Sequence, residues 1–200
     1  MDLQTAHESR LNIHLLAFND FKDLVQFEVT CNDDEKALLR SSVPFQRFIR
    51  GLKVEMVLLL AFLYASGNEE HHSYHKLLHR LRLSKAPVIS QRLSALKLDE
   101  LQHRIEQEGA LKQLFSDRNE RVGHLPKGST IQSLALPIDY KYYEGLFRLS
   151  EEILQAIASV YFETQQHMEW PEWQSTTRIM SHQLSYVKLI QDQWRNRHTQ

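Results

Sequence analysis

Three residues of one short segment carry side chains that together could cleave a phosphodiester. Arg118, Asn119 and His124 lie within SDRNERVGHLPKG, residues 116–128. Arginine is a permanent cation whose forked donors match phosphate oxygens, and histidine gives or takes a proton near neutral pH. A base that deprotonates a ribose 2′-hydroxyl, with a cation that stabilises the charge building on phosphorus, could cleave RNA without a metal. The asparagine adds a neutral hydrogen-bonding group beside the arginine.

The spacing of Arg118 and His124 sets a geometric condition on such a site. On an ideal helix, residues six positions apart point about 120° away from each other, so the two would not share a face. The conflict is removed if the helix ends at Val122 and Gly123 takes the left-handed C-terminal position, because His124 then leaves the helix axis. Pro126 would keep the helix from resuming. A two-fold dimer would bring two copies of the segment around one phosphate.

The motif resembles that of the HEPN superfamily, in which an Arg and a polar residue precede a His near the end of a long helix. Within that superfamily, DRNERVGH is most similar to the abortive-infection-type members, whose motif is Arg-Asp/Asn-Lys-x-x-Ala-His. Gly123 stands where alanine is usual, and Glu120 where lysine is common. In the subgroup paired with nucleotidyltransferase antitoxins a tyrosine follows two positions after the His, and here that position is Pro126.

The resemblance implies a fold, an activity and a role for each motif residue. It implies an all-α, metal-independent endoribonuclease that acts as a toxin or antiphage effector, needs no cofactor, and forms a homodimer whose motif helices meet at a composite active site. Arg118 would stabilise the transition state, His124 would transfer protons, and Asn119 would orient one of them. RNA would be the substrate, and an antitoxin or regulatory partner is expected.

A second candidate feature is a basic block without any Asp or Glu between His71 and Leu98. The cations expected to contact RNA are Lys76, Arg80, Arg82, Lys85 and Arg92, joined by Arg121 near the motif. Such a block attracts phosphates even in a chain of net charge −1. The alternative is a solvated helical face that acidic neighbours balance in three dimensions.

Three histidines of this block, His71, His75 and His79, recur every four residues and so lie on one helical face. Two histidines at this spacing can bind zinc, but a complete site also needs cysteine or carboxylate ligands, and none lies nearby in sequence. No metal site is therefore predicted.

The composition indicates that helices position these residues. The chain has 200 residues, 42% of them hydrophobic, with only six glycines and five prolines. Strong helix formers dominate, and apolar residues recur at three- and four-residue spacing. A single all-helical domain over 1–200, a bundle of about five to seven helices, is predicted.

Local signals predict where these helices begin and end. A first helix is expected from about Leu3 to Phe27, followed by an N-cap at Asn32 or Asp33 and a break near Pro44. A helix from about His71 to Leu83 comes next, and then a long helix from near Pro87 toward Arg121 with a weak point at Gly109. The last two helices are expected from Tyr140 to about His167 and from about Ser175 to Trp194.

The length of the apolar runs and the cysteine content predict a soluble, cytoplasmic protein. The most apolar run, Val54 to Ala65, has 12 residues and contains Glu55, so it is too short to span a bilayer. Cys31 is the only cysteine and cannot form an internal disulfide.

Two further functions stay open, a non-catalytic helical module that binds RNA or a nucleotide, and a purely structural adaptor.

Overall fold

The computed structural model describes residues 2–67, 71–83, 92, 95–119 and 140–162. Within these residues every regular element is a helix and no strand occurs. The helices are α1 (Leu3–Thr30), α2 (Asp33–Ser41), α3 (Val43–Tyr64), α4 (Tyr74–Leu83), α5 (Leu98–Gln107), α6 (Ala110–Ser116) and α7 (Tyr140–Tyr161). The predicted all-α class is confirmed. The helix predicted from Ser175 to Trp194 lies outside the described residues.

The chain divides into two compact units. The first comprises residues 1–18 and 54–169, and the second comprises residues 19–53 and 170–200. The boundaries fall inside α1 and α3. The single domain expected over 1–200 stays a prediction. None of the helices described is both long and apolar enough to cross a bilayer.

In the second unit, a capping box starts α2. The Asn32 side chain accepts a hydrogen bond from the Glu35 backbone N–H at 2.9 Å, and the Glu35 carboxylate accepts one from the Asn32 N–H at 3.0 Å. Both are donors that the first helical turn would otherwise leave without a partner. The N-cap predicted at Asn32 is confirmed.

The predicted break near Pro44 is also confirmed, and it falls at Ser42, whose extended backbone separates α2 from α3. Pro44 lies in the first turn of α3, where proline is tolerated because no intrahelical partner awaits its missing N–H. Beside this break, a small apolar cluster brings together the residues Cys31, Leu39 and Phe45, with Phe48 and Ile49 packed against them.

The long helix predicted from near Pro87 toward Arg121 is wrong as a continuous element. Lys97 has a left-handed backbone, with φ of 47°, and α5 begins directly after it. The chain is extended again at Glu108, and α6 begins after Gly109. The weak point predicted at Gly109 is therefore a true interruption.

The sequence predicts a buried apolar stripe on α7 in the first unit, because the residues at helical spacing are Tyr143, Leu146, Phe147, Ile153, Leu154, Ile157 and Tyr161. The structure confirms this for the first six of them, which are all buried. Neighbouring helices also donate hydrogen bonds to α7. The Tyr64 hydroxyl, on α3, donates to the Leu146 carbonyl at 2.6 Å, and its oxygen lies 2.8 Å from the Ser150 hydroxyl.

An arginine without any exposed surface, Arg10, ties α1 to the turn before α4. Its guanidinium donates to the carbonyls of Ser73 at 3.2 Å and His71 at 2.7 Å, and to that of Ala6 within its own helix at 2.5 Å. Burial, with a contribution from the nearby Arg80 cation, lowers the pKa of Arg10 to about 10, so it stays charged at neutral pH. Carbonyl dipoles therefore stabilise a fully buried cation.

Replacing Arg10 with methionine should destabilise the first unit, because the two turn carbonyls at 71 and 73 lose their charged donor. We expect a loss of about 2–4 kcal/mol in the free energy of unfolding, measured by urea denaturation. The matched control is Arg50→Met on α3, where the arginine is exposed. Equal effects of the two substitutions would contradict this account of Arg10.

A buried hydrogen bond from α1 to α7 should make the free energy of unfolding depend on pH. The imidazole Nε2 of His7, which is 1% exposed, lies 3.0 Å from the Leu154 carbonyl and donates to it. Burial lowers the pKa of His7. The unfolded chain therefore binds this proton more readily. The contribution of His7 is present above the unfolded pKa, near 6.5, and is lost as the pH falls through the folded value.

Lowering the pH from about 7.5 to about 5.5 should reduce the unfolding free energy of the wild type more than that of His7→Gln. The glutamine amide can still donate to Leu154 but does not titrate. Urea denaturation at both pH values measures the difference, and parallel losses in the two proteins would refute the assignment.

Candidate functional site

The first two motif residues lie in a π-helical turn, residues 117–119, that directly continues α6. The backbone N–H of Asp117 is shared between the carbonyls three and four residues before it. Such widened turns redirect side chains and are frequent at functional sites. Arg118 and Asn119 therefore lie at a local irregularity that directly follows α6.

The Arg118 guanidinium is held on two sides. Its Nε donates to the Asn119 side-chain oxygen at 3.0 Å, and its central carbon lies 5.1 Å from the centre of the Phe115 ring, within range of a cation–π interaction. Among the residues that the structure describes, neither terminal Nη nitrogen has a hydrogen-bond or ion-pair partner. The paired Nη groups are thus available for a bidentate oxyanion.

Asp117, the residue before Arg118, links the end of α6 to α7 by a hydrogen bond. This carboxylate is 1% exposed. One of its oxygens accepts a hydrogen bond from the Tyr143 hydroxyl at 2.8 Å, and the other accepts one from the Gln113 amide at 2.9 Å. The residue directly before Arg118 is therefore buried and hydrogen-bonded, and it links the turn that carries Arg118 to α7.

Tyr143 fits the apolar stripe of α7, so the sequence predicts only a core position for it, and it predicts no role for Asp117. Tyr143 is indeed buried, at 3% exposure, and its hydroxyl also bonds the carboxylate. One signal was available in the sequence, since Gln113 precedes Asp117 by four residues and this spacing allows a side-chain hydrogen bond on a helix. The partner on α7 had no such local signal.

Three of the predicted site residues, Lys85, Arg121 and His124, lie outside the described residues. The structure therefore brings Arg118 and Asn119 together and leaves their relation to His124 a prediction.

Acidic side chains of α5 balance part of the basic block. The Arg82 guanidinium forms an ion pair with Asp99 at 2.7 Å, and Lys97 pairs with Glu100 at 3.1 Å. This arrangement is the one that the solvated-face alternative predicts for these cations. Such exposed pairs contribute little to stability, but they reduce the positive potential that phosphates would meet.

The other described cations of the block are Lys76, Arg80 and Arg92, and all three are half-buried. In the part of the chain that the structure describes, Lys76 and Arg80 have no carboxylate partner, and Arg80 Nη1 is shielded from solvent without a hydrogen-bond acceptor. Neither charge is therefore neutralised by a carboxylate among the described residues.

One histidine of the block contacts an amide. The Gln102 amide nitrogen lies 2.6 Å from His75 Nδ1 and also donates to Glu106 at 2.7 Å. Within the described ranges, no group of three or more His, Cys, Asp or Glu side chains is arranged to hold a metal ion.

Comparison with known proteins supplies no family for this arrangement. No family model, no curated protein and no solved structure matches the chain. The HEPN resemblance consequently depends on the motif residues alone and stays a prediction.

Proposed function

We propose that this chain is a metal-independent endoribonuclease of the HEPN type, a toxin or antiphage effector of abortive infection. The observation that carries the proposal is the Arg118 guanidinium, oriented by Asn119 and Phe115 with its Nη groups unengaged among the described residues. A guanidinium held in this way can bind two oxygens of a scissile phosphate without first breaking an ion pair.

The proposed reaction uses the nucleophile that RNA itself carries. His124 removes the proton of the ribose 2′-hydroxyl, and the resulting oxygen attacks the adjacent phosphorus. The bond to the 5′-oxygen of the next nucleotide breaks, and that oxygen receives a proton. The products are a 2′,3′-cyclic phosphate and a 5′-hydroxyl. Arg118 stabilises the charge that accumulates on the phosphoryl oxygens, and Asn119 holds its Nε.

A homodimer would complete the site by bringing a second Arg118 and a second His124 to the same cleft. One histidine could then act as base while the other protonates the leaving oxygen. Cations such as Lys76 and Arg80, which have no carboxylate partner among the described residues, would add a salt-dependent contribution to RNA binding.

Removing either motif side chain should abolish cleavage in the folded protein. We expect Arg118→Ala to lower the single-turnover rate about 100- to 1,000-fold, as the loss of one transition-state donor does, and His124→Ala to lower it by at least about 100-fold. Labelled RNA, resolved on denaturing gels, gives the rate and the chemistry of the ends. The control is Arg148→Ala, which removes an exposed arginine of α7 that pairs with Glu144.

EDTA should leave the rate unchanged, and a 2′-deoxy substitution at the cleaved nucleotide should block the reaction. Mixing Arg118→Ala with His124→Ala should restore part of the activity if the dimer shares its sites. Loss of cleavage in EDTA, or products with a 3′-hydroxyl, would refute the proposed chemistry. Salt-sensitive RNA binding without turnover would instead identify a non-catalytic binding module.

A further inference from the structure

We infer that Asp117 and Tyr143 are positioning residues for Arg118. Their buried hydrogen bond sets the direction in which the Arg118 guanidinium leaves α6. The inference rests on the proposed function, because it assigns this direction to the binding of a scissile phosphate.

Asp117 and Arg118 are consecutive residues of one helical turn, so the direction of one side chain constrains the direction of the next. Asp117 points into the interface with α7, where Tyr143 donates to it, and Arg118 lies over the ring of Phe115, three residues before it. Fixing the carboxylate at α7 therefore fixes the rotation of the turn that carries the guanidinium.

A buried carboxylate is unfavourable at this position unless hydrogen bonds compensate for the lost solvation. Asp117 is 1% exposed, and desolvation disfavours a charged group. An apolar side chain would pack against α7 without that penalty. The carboxylate instead bonds two donors through separate oxygens, which fixes the rotation of its plane.

The helix α6 has only seven residues. A helix this short is unstable by itself and needs tertiary contacts to stay ordered. Arg118 lies in the π-helical turn that directly continues it. The bond from Tyr143, a residue of the much longer α7, restrains the end of α6 at the residue before the guanidinium.

The restraint can be measured without any cleavage assay, from the ¹⁵N relaxation of the arginine Nε–H groups. We expect the Arg118 Nε to be rigid in the wild type and to become mobile in Tyr143→Phe, which removes only the hydroxyl. The matched control is Tyr142→Phe, because Tyr142 is the neighbouring residue of α7 and is 44% exposed. The signal is assigned by its absence in Arg118→Lys, and unchanged Arg118 relaxation in Tyr143→Phe would overturn the inference.

Cleavage kinetics test whether the restraint acts through Arg118. Tyr143→Phe should lower kcat about 10- to 100-fold, as a misplacement of about 1 Å does, with KM changed less than about twofold. In the Arg118→Ala background the same substitution should cause no further loss, because the residue being positioned is absent. Asp117→Asn can accept from Gln113 through its amide oxygen while its NH2 group donates to the Tyr143 hydroxyl, so it should recover most of the rate that Asp117→Ala loses.

These measurements separate the inference from the proposed function. Every variant is assayed at a temperature where its own unfolding curve shows it to be folded. An equal loss from Tyr143→Phe with and without Arg118 would indicate a general structural role and overturn the inference. The proposed function would be overturned instead if Arg118→Ala still cleaved RNA. It would also be overturned if the wild type did not cleave RNA although Tyr143 restrains its Arg118 Nε.

Discussion

The first unit depends on helix α7, to which three other helices are hydrogen-bonded. His7 of α1 and Tyr64 of α3 donate to main-chain carbonyls of α7, and Tyr143 of α7 donates to the carboxylate of Asp117 at the end of α6. The carbonyls that accept are those of Leu154 and Leu146, two turns apart on the buried face of α7. Because buried polar groups need hydrogen-bond partners, these contacts determine the geometry of helix packing as well as its stability.

The elements that sequence could predict are those whose signals are local. Helix-forming composition gave the all-α class, the stripe of α7 gave its buried face, and the cap at Asn32 and the break beside Pro44 followed from side-chain and ring chemistry alone. Of the candidate site, Arg118 and Asn119 were found by their types and spacing, and they do contact each other.

What sequence could not predict depends on partners distant in the chain. The hydroxyl that anchors Asp117 lies 26 residues away, and two of the three carbonyls around Arg10 lie more than 60 residues away. Tertiary contacts therefore decide the surroundings of these two side chains. The interruption at Lys97 instead requires a left-handed backbone at a residue type that seldom adopts it, so nothing in the local sequence marked it.

The cluster around Cys31 gives the second unit a built-in chemical reporter. The chain has one thiol, and that thiol is buried with Leu39 and Phe45 beside the capping box of α2. Because Cys31 is only 7% exposed, an alkylating reagent should react with its sulfur faster when this cluster opens, so the modification rate reports on those openings. Local opening of the second unit can therefore be followed by mass spectrometry of the alkylated protein, without an engineered residue.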